Sequence, residues 1–128
     1  MILLLDTHLI LWAAGEPDRL PQAARTRIED PAARLLFSAA SLWEVTIKAG
    51  LGRADFVVEP RLLRRGLLEN GYEELPVRSA HAVAVGELPP LHRDPFDRLL
   101  VAQAQVESVT LMTAVEAVAA YPGPILKV

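Results

Sequence analysis

The chain is expected to fold as an α/β protein, a three-layer α/β/α sandwich around a central, mostly parallel sheet. Three observations point there. Ile2 to Leu5 has the unbroken hydrophobicity of a strand covered on both faces, and Arg34 to Phe37, Val109 to Met112 and Ile125 to Val128 are further short, mainly apolar strand segments. Longer segments with helical periodicity alternate with them, which implies right-handed crossovers between parallel strands. At 128 residues, 52% hydrophobic and 23% charged, the chain has the size and composition of a single domain over residues 1–128.

Each element has a local reason. After the first strand, a helix is expected from Asp6-Thr7-His8, carrying Leu9, Ile10 and Trp12 inward until Gly15-Glu16-Pro17 stops it. A second helix runs from Pro21, a favoured first-turn residue, to the Asp30-Pro31 break. Past the second strand, Ser38 to Ser41 leads into a helix bearing Leu42, Trp43, Val45 and Ile47, which Gly50 ends. Pro60 to Glu69 forms another helix, closed by Asn70-Gly71. Tyr72 to Leu75 is a weak third strand, Ser79 to Gly86 a helix, and Pro89-Pro90 a rigid connector. Asp94-Pro95 opens a strong helix through Gln105, the fourth strand follows, and Ala114 to Ala120 forms a short helix before the last strand. No internal repeat, linker or low-complexity tract interrupts this order.

The formal net charge of −3 and a pI near 5.6 do not advertise nucleic-acid binding, nor do they exclude it. Lys48 and Lys127 are the only lysines, and the remaining positive charge is arginine. Arg61, Arg64 and Arg65 share one helix, where a solvated face explains them better than phosphate contact does. The absence of cysteine excludes disulfides, thiolate metal sites and a cysteine nucleophile, and fits a reducing, cytoplasmic setting. The first apolar run lacks a basic leader and is broken by Asp6 and His8, so it reads as a buried strand and not as a signal peptide. No stretch is long and apolar enough to span a membrane.

Three acids stand where strands or loops turn into helices: Asp6, Glu44 and Asp97. Each has a structural reading. Asp6 can cap the following helix. Ser41-x-x-Glu44 has the spacing of a capping box. In Asp94-Pro95-Phe96-Asp97, the helix macrodipole favours both carboxylates. In an open parallel sheet, however, ligands gather beyond the carboxyl ends of the strands, which would bring the three acids together. Converging carboxylates repel unless a cation neutralises them, and hard oxygen donors without cysteine favour Mg²⁺, with Mn²⁺ as the variant. Such a site suits phosphoryl chemistry. His8 and His92 are too few for a zinc site of the usual kind. The chain has neither a Gly-x-Ser-x-Gly elbow nor a glycine-rich phosphate loop. A receiver-type fold usually sets a second acid beside the first-strand acid, where Thr7-His8 supplies none.

Three blocks together resemble the PIN-domain family, and within it the VapC-type toxins of bacterial toxin–antitoxin pairs. They are Leu5-Asp6-Thr7-His8 with Trp12, Ser38-Ala39-Ala40-Ser41-Leu42-Trp43-Glu44-Val45 with Ile47-Lys48, and His92-Arg93-Asp94-Pro95-Phe96-Asp97-Arg98-Leu99-Leu100 with Ala102-Gln103-Ala104. The resemblance is collinear over the chain. It implies a PIN-like fold and a Mg²⁺- or Mn²⁺-dependent toxin endoribonuclease acting on tRNA, rRNA or mRNA and leaving 5′-phosphate and 3′-hydroxyl ends. It also implies a VapB-like antitoxin as partner, and a homodimer or a toxin–antitoxin hetero-oligomer. By the same resemblance Asp6, Glu44 and Asp97 are the metal ligands and catalytic acids, with Asp94 and Thr113 as supports. Lys48, Arg93 and Arg98, near these acids in sequence, are candidate contacts to RNA phosphates.

One position departs from the family pattern. Members commonly carry an acid two residues after the threonine that follows the fourth strand, whereas this chain reads Thr113-Ala114-Val115-Glu116. Val115 has no metal-binding atom, and Thr113-x-x-Glu116 has capping-box spacing. Either three carboxylates suffice, or the chain is a catalytically impaired PIN-like protein that works by binding antitoxin or RNA.

Overall fold

The computed structural model describes residues 1–128. Its elements run β1 (Ile2–Leu5), α1 (Thr7–Gly15), α2 (Gln22–Ile28), β2 (Arg34–Ser38), α3 (Ala39–Gly50), α4 (Pro60–Glu69), β3 (Glu73–Leu75), α5 (Ser79–Ala84), α6 (Pro95–Glu107), β4 (Thr110–Thr113), α7 (Glu116–Ala119) and β5 (Ile125–Lys127). The strands form one sheet in the order β3-β2-β1-β4-β5, and every pairing is parallel. The mostly parallel sheet expected from the sequence is thus parallel throughout.

Strand β1 is the centre of this arrangement. Leu3 pairs with Leu35 on one side and Thr110 on the other, and Leu5 pairs with Met112. Because side chains alternate across a strand, Leu3 and Leu5 enter one core while Leu4 enters the other. The first core joins Phe37 and Met112 to Leu9 and Ile10 of α1, Val45 of α3, and Leu63 and Leu67 of α4. The second joins Leu36 and Leu111 to Leu100, Val101 and Ala104 of α6, with Val118 of α7. Leu3, Leu4 and Leu5 are fully buried, and each contributes roughly 1.5–3 kcal/mol on burial. An uninterrupted apolar run is therefore what a two-faced central strand requires.

The one polar residue fully buried on the sheet-facing side of α6 has a specific tie. The Ser38 hydroxyl lies 2.6 Å from Gln103 Oε1, and Gln103 Nε2 donates to the Pro76 carbonyl at 3.3 Å. Strand β2, α6 and the segment after β3 are locked together by these bonds.

Element ends differ in detail from expectation. Pro17–Arg19 and Val85–Glu87 form single tight turns, so α5 stops at Ala84. Helix α6 continues to Glu107 and ends at Ser108, which takes the left-handed conformation (φ 55°) more often given to glycine. Helix α7 begins at Glu116.

Because all five strands are parallel, their carboxyl ends share one edge, where Leu5 passes into Asp6, Ser38 into α3 and Thr113 into the α7 approach. Helix α6 runs back against the strand direction to feed β4, so its N-terminus, with Asp94 and Asp97, opens at that same edge.

Candidate metal centre

Asp6 takes the N-cap position of α1, and its Oδ1 accepts the Leu9 amide at 3.0 Å. Its other oxygen, Oδ2, accepts the hydroxyl of Thr113 from the end of β4. Asp6 therefore caps a helix with one oxygen and faces β4 with the other. Its side chain is almost wholly buried, and that burial raises its pKa above the usual carboxylate value, against the lowering effect of the Thr113 and Leu9 bonds.

The Ser41–Glu44 capping box does not form. Helix α3 starts three residues earlier, capped by Ser38, whose hydroxyl accepts the Ala40 amide at 3.0 Å. Glu44 thus lies within the helix, buried, with Oε1 2.8 Å from Thr7 Oγ1 and Oε2 2.8 Å from Lys48 Nζ. Thr7 Oγ1 is also 2.9 Å from Ser41 Oγ. With a single proton to give, the threonine donates to the carboxylate and accepts from the serine.

Asp94 caps α6, its Oδ1 accepting the amides of Phe96 at 2.8 Å and Asp97 at 3.2 Å. Asp97 Oδ2 sits 2.9 Å from His92 Nε2. Burial is the largest cause raising the Asp97 pKa, and the charges of Asp94, Glu44 and Asp6 push it in the same direction, while the His92 bond opposes them. Those three repulsions mean that the acids, 91 residues apart from Asp6 to Asp97, share one electrostatic site.

The tightest ligand geometry includes a residue that sequence reading undervalued. His92, Asp94 and Asp97 each offer a ligand atom within 4.8 Å of the others. His92 comes from an irregular segment whose path no periodicity encodes, and its only signal was proximity to the two aspartates. Asp6 and Glu44 lie within electrostatic reach of this group without forming part of that close triplet.

At the fourth position, the Val115 amide donates to Thr113 Oγ1 at 3.0 Å, and its side chain packs against the second core. The capping box expected of Thr113 and Glu116 is absent: α7 has no side-chain cap, and Glu116 Oε1 points outward to Lys127 Nζ at 3.0 Å. Glu116 therefore does not replace the missing acid. Of the candidate phosphate contacts, Lys48 is held by Glu44 and Arg93 is exposed. Arg98 turns inward, with Nη2 3.1 Å from the Val85 carbonyl. A groove of about 1150 Å³ leads away from the acids between α1, α3 and α4, lined by Thr7, Trp12, Glu44, Lys48, Phe56 and Leu63 among others.

Asp6, Glu44, Asp94 and Asp97 bring four carboxylates to one sheet edge against the single ammonium of Lys48. Oxygen donors in excess of countercharge are the chemistry of a hard divalent cation, so the residues present fit such an ion. No helix of the chain is long and apolar enough to cross a membrane.

The PIN domain model matches residues 3–119 of the chain. No curated protein sequence matches it. Among solved structures, VapBC2 from Rickettsia felis, bound to a DNA fragment from its promoter, has a TM-score of 0.74 at 17% identity, covering 100% of this chain and 99% of that one. DNA-bound VapBC from Salmonella typhimurium gives 0.71 at 17% identity, covering 99% and 98%. VapBC-1 from nontypeable Haemophilus influenzae gives 0.65 at 18% identity, covering 99% and 98%. At these identities the likeness is one of fold.

Proposed function

Since the chain belongs to the PIN-domain family, we propose that it is a VapC-type toxin, a Mg²⁺- or Mn²⁺-dependent endoribonuclease. One observation carries this reading: ligand atoms of His92, Asp94 and Asp97 lie within 4.8 Å of one another, at the sheet edge where Asp6 and Glu44 also stand, an excess of carboxylate oxygens that suits a hard cation. The three structural relatives are VapBC proteins, two of them bound to DNA, which supports a VapB-like antitoxin as partner and a toxin–antitoxin assembly.

In this reading Asp6 and Asp97 hold the ion, with Asp94 beside them. When bound, a divalent ion polarises a phosphoryl oxygen and offsets negative charge that develops on it. Glu44 orients the attacking water and accepts its proton at a carboxylate oxygen, while Thr7 and Lys48 fix the carboxylate's direction. Thr113 holds Asp6 Oδ2 in place. In-line attack on phosphorus then leaves 5′-phosphate and 3′-hydroxyl ends. Exposed Arg93 remains available to RNA phosphate, and the target RNA is read by shape and unpaired bases.

Val115 favours a second reading, in which the protein binds antitoxin or RNA without cutting. Both are tested by incubating total bacterial RNA with antitoxin-free protein and Mg²⁺ or Mn²⁺, beside EDTA and Asp6→Ala controls. Discrete products lost in both controls support the nuclease. RNA binding without products under any metal supports the binding role, and cleavage that persists in EDTA refutes the metal mechanism.

A further inference from the structure

We infer that Arg98 and Tyr121 act as a clamp that positions His92 against Asp97, and so sets the geometry of the metal site. The inference rests on the metal-dependent reading above. The guanidinium of Arg98 faces four oxygens and no carboxylate: the Val85 carbonyl at 3.1 Å, and the Pro89 carbonyl, the His92 carbonyl and Tyr121 Oη, each at 3.4 Å. A half-buried arginine without an acidic partner is unusual, because taking its charge out of water is costly unless hydrogen bonds or an ion pair offset it. Its planar fork of five donors instead gathers the turns of residues 85–92 from one point.

Tyr121 completes the clamp from the other side. Its ring is buried in the second core, and its hydroxyl accepts the His92 amide at 3.0 Å and donates to the His92 carbonyl at 3.3 Å. Both backbone polar groups of His92 are thereby fixed by one side chain. The imidazole has little freedom left, and its Nε2 lies 2.9 Å from Asp97 Oδ2. The chain of contacts runs from Tyr121, beyond the α7 turn, through His92 to the Asp97 carboxylate, and Arg98, the residue after Asp97, closes the ring. Hydrogen-bond partners of metal-ligating carboxylates fix their orientation, and losing one typically costs 10–100-fold in metal affinity.

The test uses Tyr121→Phe, which keeps the ring in the core, together with Arg98→Lys, His92→Ala and the Tyr121→Phe/His92→Ala pair. Mn²⁺ affinity is measured by calorimetry without RNA. Exchange of the His92 amide and the His92 imidazole nitrogen shifts are measured by NMR without metal. Tyr121→Phe is expected to weaken Mn²⁺ binding roughly tenfold and to speed exchange at His92. The double variant should bind no worse than His92→Ala alone, since the clamp acts through that residue. A merely structural tyrosine would give additive losses, and that result, or unchanged Mn²⁺ affinity in Tyr121→Phe, overturns the inference. Wild-type protein that binds no Mn²⁺ refutes the metal reading by itself. In that case an unaltered His92 amide and imidazole in Tyr121→Phe would overturn the clamp as well, whereas altered signals would leave it standing as the device that places His92.

Discussion

Replacing Thr113 by valine removes one oxygen while nearly conserving shape, and the structure allows its cost to be worked out. The hydroxyl is fully buried; it donates to Asp6 Oδ2 and accepts the Val115 amide at 3.0 Å. Losing a hydrogen bond to a charged group costs about 1.5–3 kcal/mol, and a half-buried amide left unpaired adds about 1 kcal/mol. A total of about 3 kcal/mol lowers the Tm of a chain this long by about 11 °C, given roughly 2.1 cal/mol/K of unfolding entropy per residue. The loss should depend on pH in a definite direction. Burial already raises the Asp6 pKa, and the Thr113 bond is what pulls it back down, so the variant's carboxyl is raised further. A carboxyl whose folded pKa exceeds its unfolded value destabilises the fold as pH rises from the unfolded value through the folded one. Thr113→Val should therefore lose more stability at pH 7 than at pH 4, where the raised pKa leaves Asp6 more fully protonated in the folded state. Urea unfolding of metal-free protein at the two pH values measures this. A variant within 0.5 kcal/mol of wild type at pH 7, on the order of the usual effect of an unimportant surface change, would refute the reasoning, as would an equal loss at both pH values.

Other outcomes follow from the same geometry. Asp97→Asn should abolish cleavage yet stabilise the metal-free protein, on the order of 1 kcal/mol, because its ionised carboxylate is opposed by burial and by Asp94, Glu44 and Asp6. The gain should be greater at pH 7 than at pH 4, and thermal melts at both values check it. Mn²⁺ at about 100 times its Kd should stabilise wild type by about 2.7 kcal/mol, or about 10 °C in Tm, with Asp6→Ala showing little shift. Val115→Asp adds a carboxylate beside Thr113 and should tighten Mn²⁺ binding and raise RNA cleavage; calorimetry with no change in affinity would show that Val115 costs the site nothing. Leu111→Ala, at a fully buried position in β4, should cost about 3–5 kcal/mol, measured by urea unfolding.

The sheet was legible because a strand buried on both faces is apolar where it is covered, as β1 is throughout and as β2 and β4 are at Leu35, Leu36, Phe37, Leu111 and Met112. Helix starts were legible where capping chemistry is unambiguous, as at Asp6 and at Asp94 ahead of Pro95. They failed where two candidate caps stand in one segment: Ser38 and Ser41 are both good caps, but Ser38 takes the Ala40 amide while Ser41 faces Thr7 inside the helix, so α3 begins at Ala39. That shift of three residues turns Glu44 from a backbone cap into a buried carboxylate facing Thr7. Arg98 was misjudged for a related reason. One step along a helix from Asp97 is a turn of about 100°, enough to carry its side chain from the acidic edge to the carbonyls of the preceding segment. That His92 would meet Asp97 depends on the path of residues 85–92, which tertiary hydrogen bonds set and local pattern does not.

On the proposed function, the charge distribution dictates how an acidic chain would meet an anionic substrate. Asp6, Glu44, Asp94 and Asp97 against Lys48 leave three formal negative charges at the site, equal to the formal net charge of −3 for the whole chain. The rest of the molecule is therefore close to neutral overall, and the barrier to RNA lies at the place where the chemistry must occur. Lys48 offsets only Glu44, while Arg98, the next cation along α6, is occupied with carbonyls. A divalent ion would remove most of that barrier and bring positive charge to bear where phosphate must lie. On this argument RNA affinity, and not turnover alone, depends on metal: binding of RNA by metal-free protein should weaken steeply when the acids ionise, and Mn²⁺ should restore it. RNA binding that is indifferent to metal in wild-type protein would place the RNA surface elsewhere on the molecule, away from the carboxylates.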